Sequence, residues 1–190
     1  MKKPGSIEII KEKIVYDQKL IIEEGTLRTN DKKTYTRQRL NRENAVAILL
    51  LNTDSNTVVL TKQFRYAIAN QTTEHILEII AGKIEGEDSP TATVIREVEE
   101  ETGYRLHETN LKLLVSCFSS PGYSSEQFFI YYGTVTHADK ISKGGGLEEE
   151  NETIEVVEMP LDAFAKAVRD GGIKDAKTYV AGLYMVLQCC

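Results

Sequence analysis

"GKIEGEDSPTATVIREVEEETGY", residues 82 to 104, decides how this chain is read. Its helix boundaries are written out in residue types. Ser89 suits an N-cap, Pro90 suits the first helical position, and Gly103 suits the position just past the end. The segment therefore predicts a helix over about 90–102. At about 100° per residue, Glu97, Glu100 and Glu101 fall on one face, at i, i+3 and i+4. Val94, Ile95 and Val98 fall on an adjacent face that docks on a core, and Glu99 points away from both into solvent. The charge sits at the unfavourable end. Like charges at i, i+4 cost roughly 0.2–0.5 kcal/mol per pair. Acids in the last turn oppose the helix dipole by about 0.3–1 kcal/mol each when exposed. Arg96 offsets part of this if it pairs with Glu100. A merely solvated helix end leaves the one-face spacing unexplained. A carboxylate cluster built for a hard cation such as Mg²⁺ explains it, because such ions take oxygen ligands and reverse the local repulsion.

Outward from this helix the chain reads as strands, helix, strands, helices. Residues 13–24, "KIVYDQKLIIEE", are β-rich, "TNDKK" (29–33) is a turn and "TYTRQRL" (34–40) alternates. "AVAILLLN" and "TVVLTKQF" flank the turn "TDSN" as a hairpin, and the first is a continuous apolar run expected to be buried on both faces. "EHILEIIAG" (74–82) reads as one short strand. "LKLLVSCF" and "EQFFIYYGTV" are strands around the loop "SSPGYSS". "SKGGGLEEENE" is a loop, "TIEVVEM" a strand, "PLDAFAKAVRDGG" a short helix, and "DAKTYVAGLYMVLQ" a last helix. That order predicts an α/β fold, a mixed sheet with helices packed on it.

Composition narrows the class. Apolar residues at 41% support a real core, and charged residues at 27% do not suggest disorder. The net charge of −6, with no Lys/Arg cluster, argues against nucleic acid. An anionic substrate would then need a divalent cation to draw it in. Cys117, Cys189 and Cys190 form no CxxC, so neither a disulfide framework nor a zinc site is expected. No run approaches the length of a membrane span, and "MKKPGSIEIIKEK" lacks the apolar core of a signal peptide. A reduced, cytoplasmic compartment is the expectation.

The quoted segment resembles the Nudix box: Gly, five residues, Glu, seven residues, then Arg-Glu-aliphatic-any-Glu-Glu-any-Gly-aliphatic. Gly82, Arg96, Glu97, Val98, Glu100, Glu101 and Gly103 stand at the required spacing. Asp88 replaces the first glutamate, and Tyr104 the last aliphatic residue. The resemblance implies a Nudix α/β/α sandwich and hydrolysis of a nucleoside diphosphate linked to another moiety. It also implies that Glu97 and Glu101, with Glu100 beside them, bind Mg²⁺ or Mn²⁺, and that the Ala81 carbonyl is a further ligand.

"KQFRYA" (62–67), "SPGYSSE" (120–126) and "GGGLEEENETIEVVE" (144–158) are similar to the ADP-ribose and GDP-mannose pyrophosphatase branch. That resemblance covers most of the chain. It implies an N-terminal β-strand subdomain (1–40) that builds a swapped homodimer, ahead of the hydrolase domain (41–190). By position, Arg65 would contact the substrate phosphates and Glu126 would hold the ribose side. Arg37 or Arg39 would be the partner's contribution. The triple glycine, lacking a following Gly-Lys-Ser/Thr, is read as a flexible hinge and not a phosphate-gripping loop. Within the acidic loop, Glu150 matches the position of the general base in the ADP-ribose relatives, with Glu152 as second choice. The expected reaction is Mg²⁺-dependent cleavage of a nucleoside diphosphate-sugar, either GDP-mannose or ADP-ribose, to a nucleoside monophosphate and a sugar 1-phosphate. The alternatives are a dinucleoside polyphosphate or NADH as substrate, or a module that senses a nucleotide-sugar without cleaving it. The presence of all three helix carboxylates speaks against the last.

Overall fold

The computed structural model describes residues 6–146 and 153–188, which fall into two compact units. The first unit takes the chain up to Asn44 together with Phe118–Gln127. Its sheet is an antiparallel three-strand meander of β1 (Glu8–Asp17), β2 (Ile21–Arg28) and β3 (Thr34–Asn41). The β-rich stretch 13–24 is therefore two strands, divided at Gln18–Leu20, where Gln18 N–H donates to the Leu20 carbonyl at 3.1 Å. The loop of this unit joins β3 through Leu40 N–H to the Tyr123 carbonyl (2.7 Å) and Ser125 N–H to the Leu40 carbonyl (3.1 Å).

The second unit is built on β4 (Ala45–Asn52). Apart from Leu51, every residue of this strand is buried. Side chains alternate across a strand, so the run divides between two cores. Val46, Ile48 and Leu50 pack with Ile80, Val94 and Val98, while Ala47 and Leu49 pack with Leu60, Phe164, Val168 and Ala181. The first face carries α1 (Pro90–Thr102) and the second carries α2 (Leu161–Arg169) and α3 (Ala176–Gln188). This is the expected α/β/α sandwich, and it explains a strand with no polar alternation.

Around β4 the sheet is mixed. β5 (Thr57–Gln63) pairs antiparallel with it, β9 (Gln127–Val135) pairs parallel, β8 (Leu111–Phe118) lies beyond β9, and β10 (Glu155–Pro160) pairs antiparallel with β5. Residues 74–82 are not one strand. β6 (Ile76–Glu78) pairs with β5, and β7 (Ile80–Lys83) pairs with the first half of β4. β4 and β5 pair only over Leu50–Asn52 with Thr57–Val59, so the chain enters between their diverging ends and changes partner at Ile79. That change of partner delivers Ala81 and Gly82 to the strand beside α1.

Candidate active site

The acidic helix forms as its residues dictate. Ser89 is extended, its hydroxyl accepts from Ala92 N–H at 3.1 Å, and Gly103 closes the helix at φ 70°. Glu99 is exposed, while Glu97, Glu100 and Glu101 lie on the partly sheltered side. Arg96 holds two of them, with Nη2 2.7 Å from Glu97 Oε1 and Nη1 2.6 Å from Glu100 Oε2. Burial of the guanidinium works against its charge, but the two carboxylates outweigh this and raise its pKa further. Glu101 is buried at 5% exposure. Three carboxylates against one guanidinium leave a net negative charge that a single divalent cation balances.

Gly82 decides where the Glu97 carboxylate sits. A Cβ on Gly82 would overlap the Glu97 carboxyl group and come within 2.5 Å of its Cγ. The missing side chain is thus a cradle, which seats the carboxylate against the backbone of β7 next to Ala81. Carboxylate and carbonyl oxygens are the donors a hard cation such as Mg²⁺ accepts, and the residues present fit it. Among the described residues, no group of three His, Cys, Asp or Glu side chains is already gathered around one cation position.

Arg65 lies in the same unit, in surroundings that no local sequence pattern signals. Its Nε donates to Glu78 Oε2 at 2.7 Å. Glu78 Oε1 accepts from Lys177 Nζ at 2.6 Å, and Lys177 lies 3.0 Å from Asp175 Oδ1. Glu78 and Lys177 are both buried. A buried lysine is tolerated only when paired, and here two carboxylates pair with it. Glu78 and Lys177 are ninety-nine positions apart, so no spacing rule reaches them. The signal that was available is a lysine in the first turn of an otherwise apolar helix.

Arg37, Arg39 and Glu126 belong to the first unit. Arg39 is engaged by Glu23 (2.6 Å) and Glu12 (3.1 Å), and Arg37 stacks 4.7 Å over the Tyr35 ring. Glu126 is paired with Arg42 at 3.3 Å. Glu150 and Glu152 lie outside the described residues.

Two departures from the box have different fates. Asp88 is exposed in the turn before α1. Tyr104 is buried at 2% exposure, with its hydroxyl donating to Glu158 Oε1 at 2.6 Å and accepting from Asn52 Nδ2 at 3.1 Å. Burial first, then the Glu158 carboxylate, pushes its pKa up to about 12. Tyr104 therefore fills the aliphatic site with its ring and ties the end of α1 to β10 with its hydroxyl.

Among the described residues, no helix is long and apolar enough to cross a membrane. A model of the NUDIX domain matches residues 41–180, most of the chain. A GDP-mannose pyrophosphatase from Cronobacter sakazakii is 31% identical over 179 residues, covering 91% of each chain. A methanol dehydrogenase activator from Bacillus methanolicus is 32% identical over 156 residues, covering 82% of this chain and 79% of its own. In fold, the chain is similar to the crystal structure of an ADP compounds hydrolase, with a TM-score of 0.77 at 18% identity over 96% of this chain and 94% of the other.

Proposed function

This chain belongs to the Nudix family, and we propose that it hydrolyses the diphosphate bond of a nucleoside diphosphate-sugar to a nucleoside monophosphate and a sugar phosphate, a 1-phosphate from GDP-mannose or a 5-phosphate from ADP-ribose. The observation that carries the reading is the seating of Glu97 in the Gly82 cradle beside Ala81, on a helix where Glu100 and Glu101 share its face. Near full-length likeness to a GDP-mannose pyrophosphatase supports the substrate class, with GDP-mannose and ADP-ribose the two leading candidates.

Glu97, Glu101, Glu100 and the Ala81 carbonyl would hold Mg²⁺, for which Mn²⁺ would substitute. When bound, such an ion neutralises diphosphate charge and acidifies water. Arg65 meets the substrate phosphates, and Glu78, pinned from the other side by Lys177, fixes the guanidinium through its Nε. Glu126 orients the ribose side. Glu150 accepts the proton of the attacking water, with Glu152 the second choice, since a base must not be spent on holding metal. Positioning and charge then do most of the work, as phosphoryl transfer requires little covalent help from a protein.

Assembly is part of the reading. Every residue of β1 is exposed, including Ile9, Ile14 and Tyr16 at 50% or more. A strand that exposes apolar side chains on both faces needs a cover, and a second copy of the chain supplies it, with Arg37 or Arg39 crossing to the partner's site. The cysteine usage fits a reduced, cytoplasmic compartment.

The decisive experiment is a panel of nucleotide-sugars, dinucleoside polyphosphates and NADH at fixed Mg²⁺, with products identified, run beside Glu97→Gln and Glu101→Gln. Cleavage of a nucleotide-sugar to the two monophosphates, lost in both variants, is expected. Turnover that survives either substitution at saturating Mg²⁺ removes the metal assignment. Binding of nucleotide-sugars with no turnover by the unsubstituted protein establishes the sensing module instead.

A further inference from the structure

An α-helix leaves its last four carbonyls without partners in the helix. In α1 these belong to Glu99, Glu100, Glu101 and Thr102, and all four are met. Gly103 N–H donates to Glu99 at 2.8 Å, and Lys140 Nζ donates to Thr102 at 2.6 Å. The remaining two are met by the triple glycine: Gly145 N–H to Glu101 at 2.8 Å and Gly146 N–H to Glu100 at 3.3 Å. Ile141 and Ser142 N–H groups add bonds to the Gly103 carbonyl at 2.8 and 3.2 Å. Residues 140–146 thus wrap the end of the acidic helix, and two of the three glycines expected to form a hinge, Gly145 and Gly146, are bonded to it.

Gly144 is required by space, and all three glycines by conformation. A Cβ on Gly144 would overlap the Glu101 carbonyl oxygen and come within 2.5 and 2.6 Å of Thr102 backbone carbons, none of which can swing aside. Gly144, Gly145 and Gly146 have φ of 65°, 116° and 80°, where other residues are strained. The wrap also offsets the electrostatic fault of the sequence. Amide N–H groups and an ammonium face the negative end of the helix dipole, at the turn that carries Glu100 and Glu101.

We propose that Gly144, Gly145 and Gly146 form a clasp of positioning residues, which holds the backbone of Glu100 and Glu101 so that their carboxylates converge on the cation. This rests on the metal reading of the acidic face given above. A carboxylate site must be held within about 0.5 Å to work, which an end turn free to fray does not achieve.

The test is Mn²⁺ binding without substrate, followed by electron paramagnetic resonance of the free ion, together with urea unfolding of each variant. Gly144→Ala breaks the clasp. Gly171→Ala is the control, since Gly171 also has a positive φ (71°) but a Cβ there meets nothing within 4 Å. Gly144→Ala is expected to weaken Mn²⁺ binding by about tenfold or more, the usual effect of losing support behind metal ligands. Gly171→Ala should lose stability without losing Mn²⁺. If Gly144→Ala does not fold, Gly145→Ala carries the test, because its Cβ meets only the Ile154 carbonyl oxygen at 3.8 Å. The clasp is overturned if the folded clasp variant binds Mn²⁺ as the parent does while Glu101→Gln does not, or if Gly171→Ala weakens binding equally. Unchanged Mn²⁺ binding in Glu101→Gln is a different failure: it removes the metal reading, and the clasp with it.

Discussion

Gly82→Ala separates the function of the acidic face from its stability. The backbone of β7 accepts alanine, since Gly82 is not among the glycines of positive φ. Exchanging a strand glycine for alanine gains about 0.5–1 kcal/mol. The new Cβ, however, would lie 2.5 Å from Glu97 Cγ and overlap the carboxyl group beyond it. Carbon atoms rest about 3.5–4.0 Å apart, so the side chain must retreat by about 1 Å or more. The retreat is easy, because the crowded atoms end a flexible side chain, and loosening the partly exposed Arg96–Glu97 pair costs about 0–1 kcal/mol. The two stability terms nearly cancel. Function has no such compensation. A shift of about 1 Å in a catalytic constellation costs on the order of 100-fold, which is about 2.7 kcal/mol of transition-state stabilisation. Steady-state kinetics at saturating Mg²⁺ and a urea midpoint on the same preparation make the comparison. The expected outcome is a kcat/KM lower by about 100-fold at a nearly unchanged midpoint. Parental kcat/KM at an unchanged midpoint would falsify the placement of Glu97 at the reacting centre. A large loss of midpoint would show that Glu97 cannot yield, and that Gly82 is a packing requirement.

Tyr104→Phe should cost about 1–3 kcal/mol at neutral pH, because it leaves the buried Asn52 amide and the Glu158 carboxylate without the hydroxyl. Burial pushes the Glu158 pKa up, but hydrogen bonds from Tyr104 and Thr57 and the nearby Lys140 outweigh it and hold the carboxyl below the usual range. The stability Glu158 contributes is therefore present above its unfolded pKa of about 4.3 and disappears as pH falls through its lower folded value. The gap between parent and variant in urea should shrink below about pH 4, and a gap that persists unchanged there contradicts the assignment. Light scattering at micromolar concentration should give a dimer mass for the parent and a monomer mass for Ile14→Lys; a monomeric parent leaves β1 without its proposed cover. Glu150→Gln should lower kcat by about 10²–10⁴-fold with little change in KM. The same loss in Glu152→Gln exchanges the two roles, and less than about tenfold in either places the base elsewhere.

Helix α1 was legible residue by residue, because its signals are local. Ser89, Pro90 and Gly103 each act on neighbouring backbone groups, and the structure begins and ends the helix where they stand. The run Ala45–Asn52 declared itself buried on both faces, since a strand in contact with water on one side would have alternated. The box spacing joined Gly82 to Glu97, and the cradle is the physical content of that spacing. The opening contradiction of charge at the wrong helix end was also visible, as was half of its remedy in Arg96. The division of 74–82 was not visible, because an apolar run does not say which neighbour it will pair with.

By itself, then, the sequence determined the elements whose stabilising partners lie within a turn or a hairpin, and the family to which their pattern belongs. The tertiary structure decided whatever depends on a partner far along the chain. Lys177 is an ordinary helix lysine until folding buries it against Glu78 and Asp175. Tyr104 is an anomaly in a motif until β10 brings Glu158 to its hydroxyl. Three glycines read as freedom until the end of α1 offers its carbonyls, when their positive φ values and the bare Cα of Gly144 let amide groups approach a helix end that a Cβ on Gly144 would block. Periodicity and propensity describe each residue against its near neighbours. Desolvation and charge pairing are settled only when the chain has closed, and they made these three positions what they are.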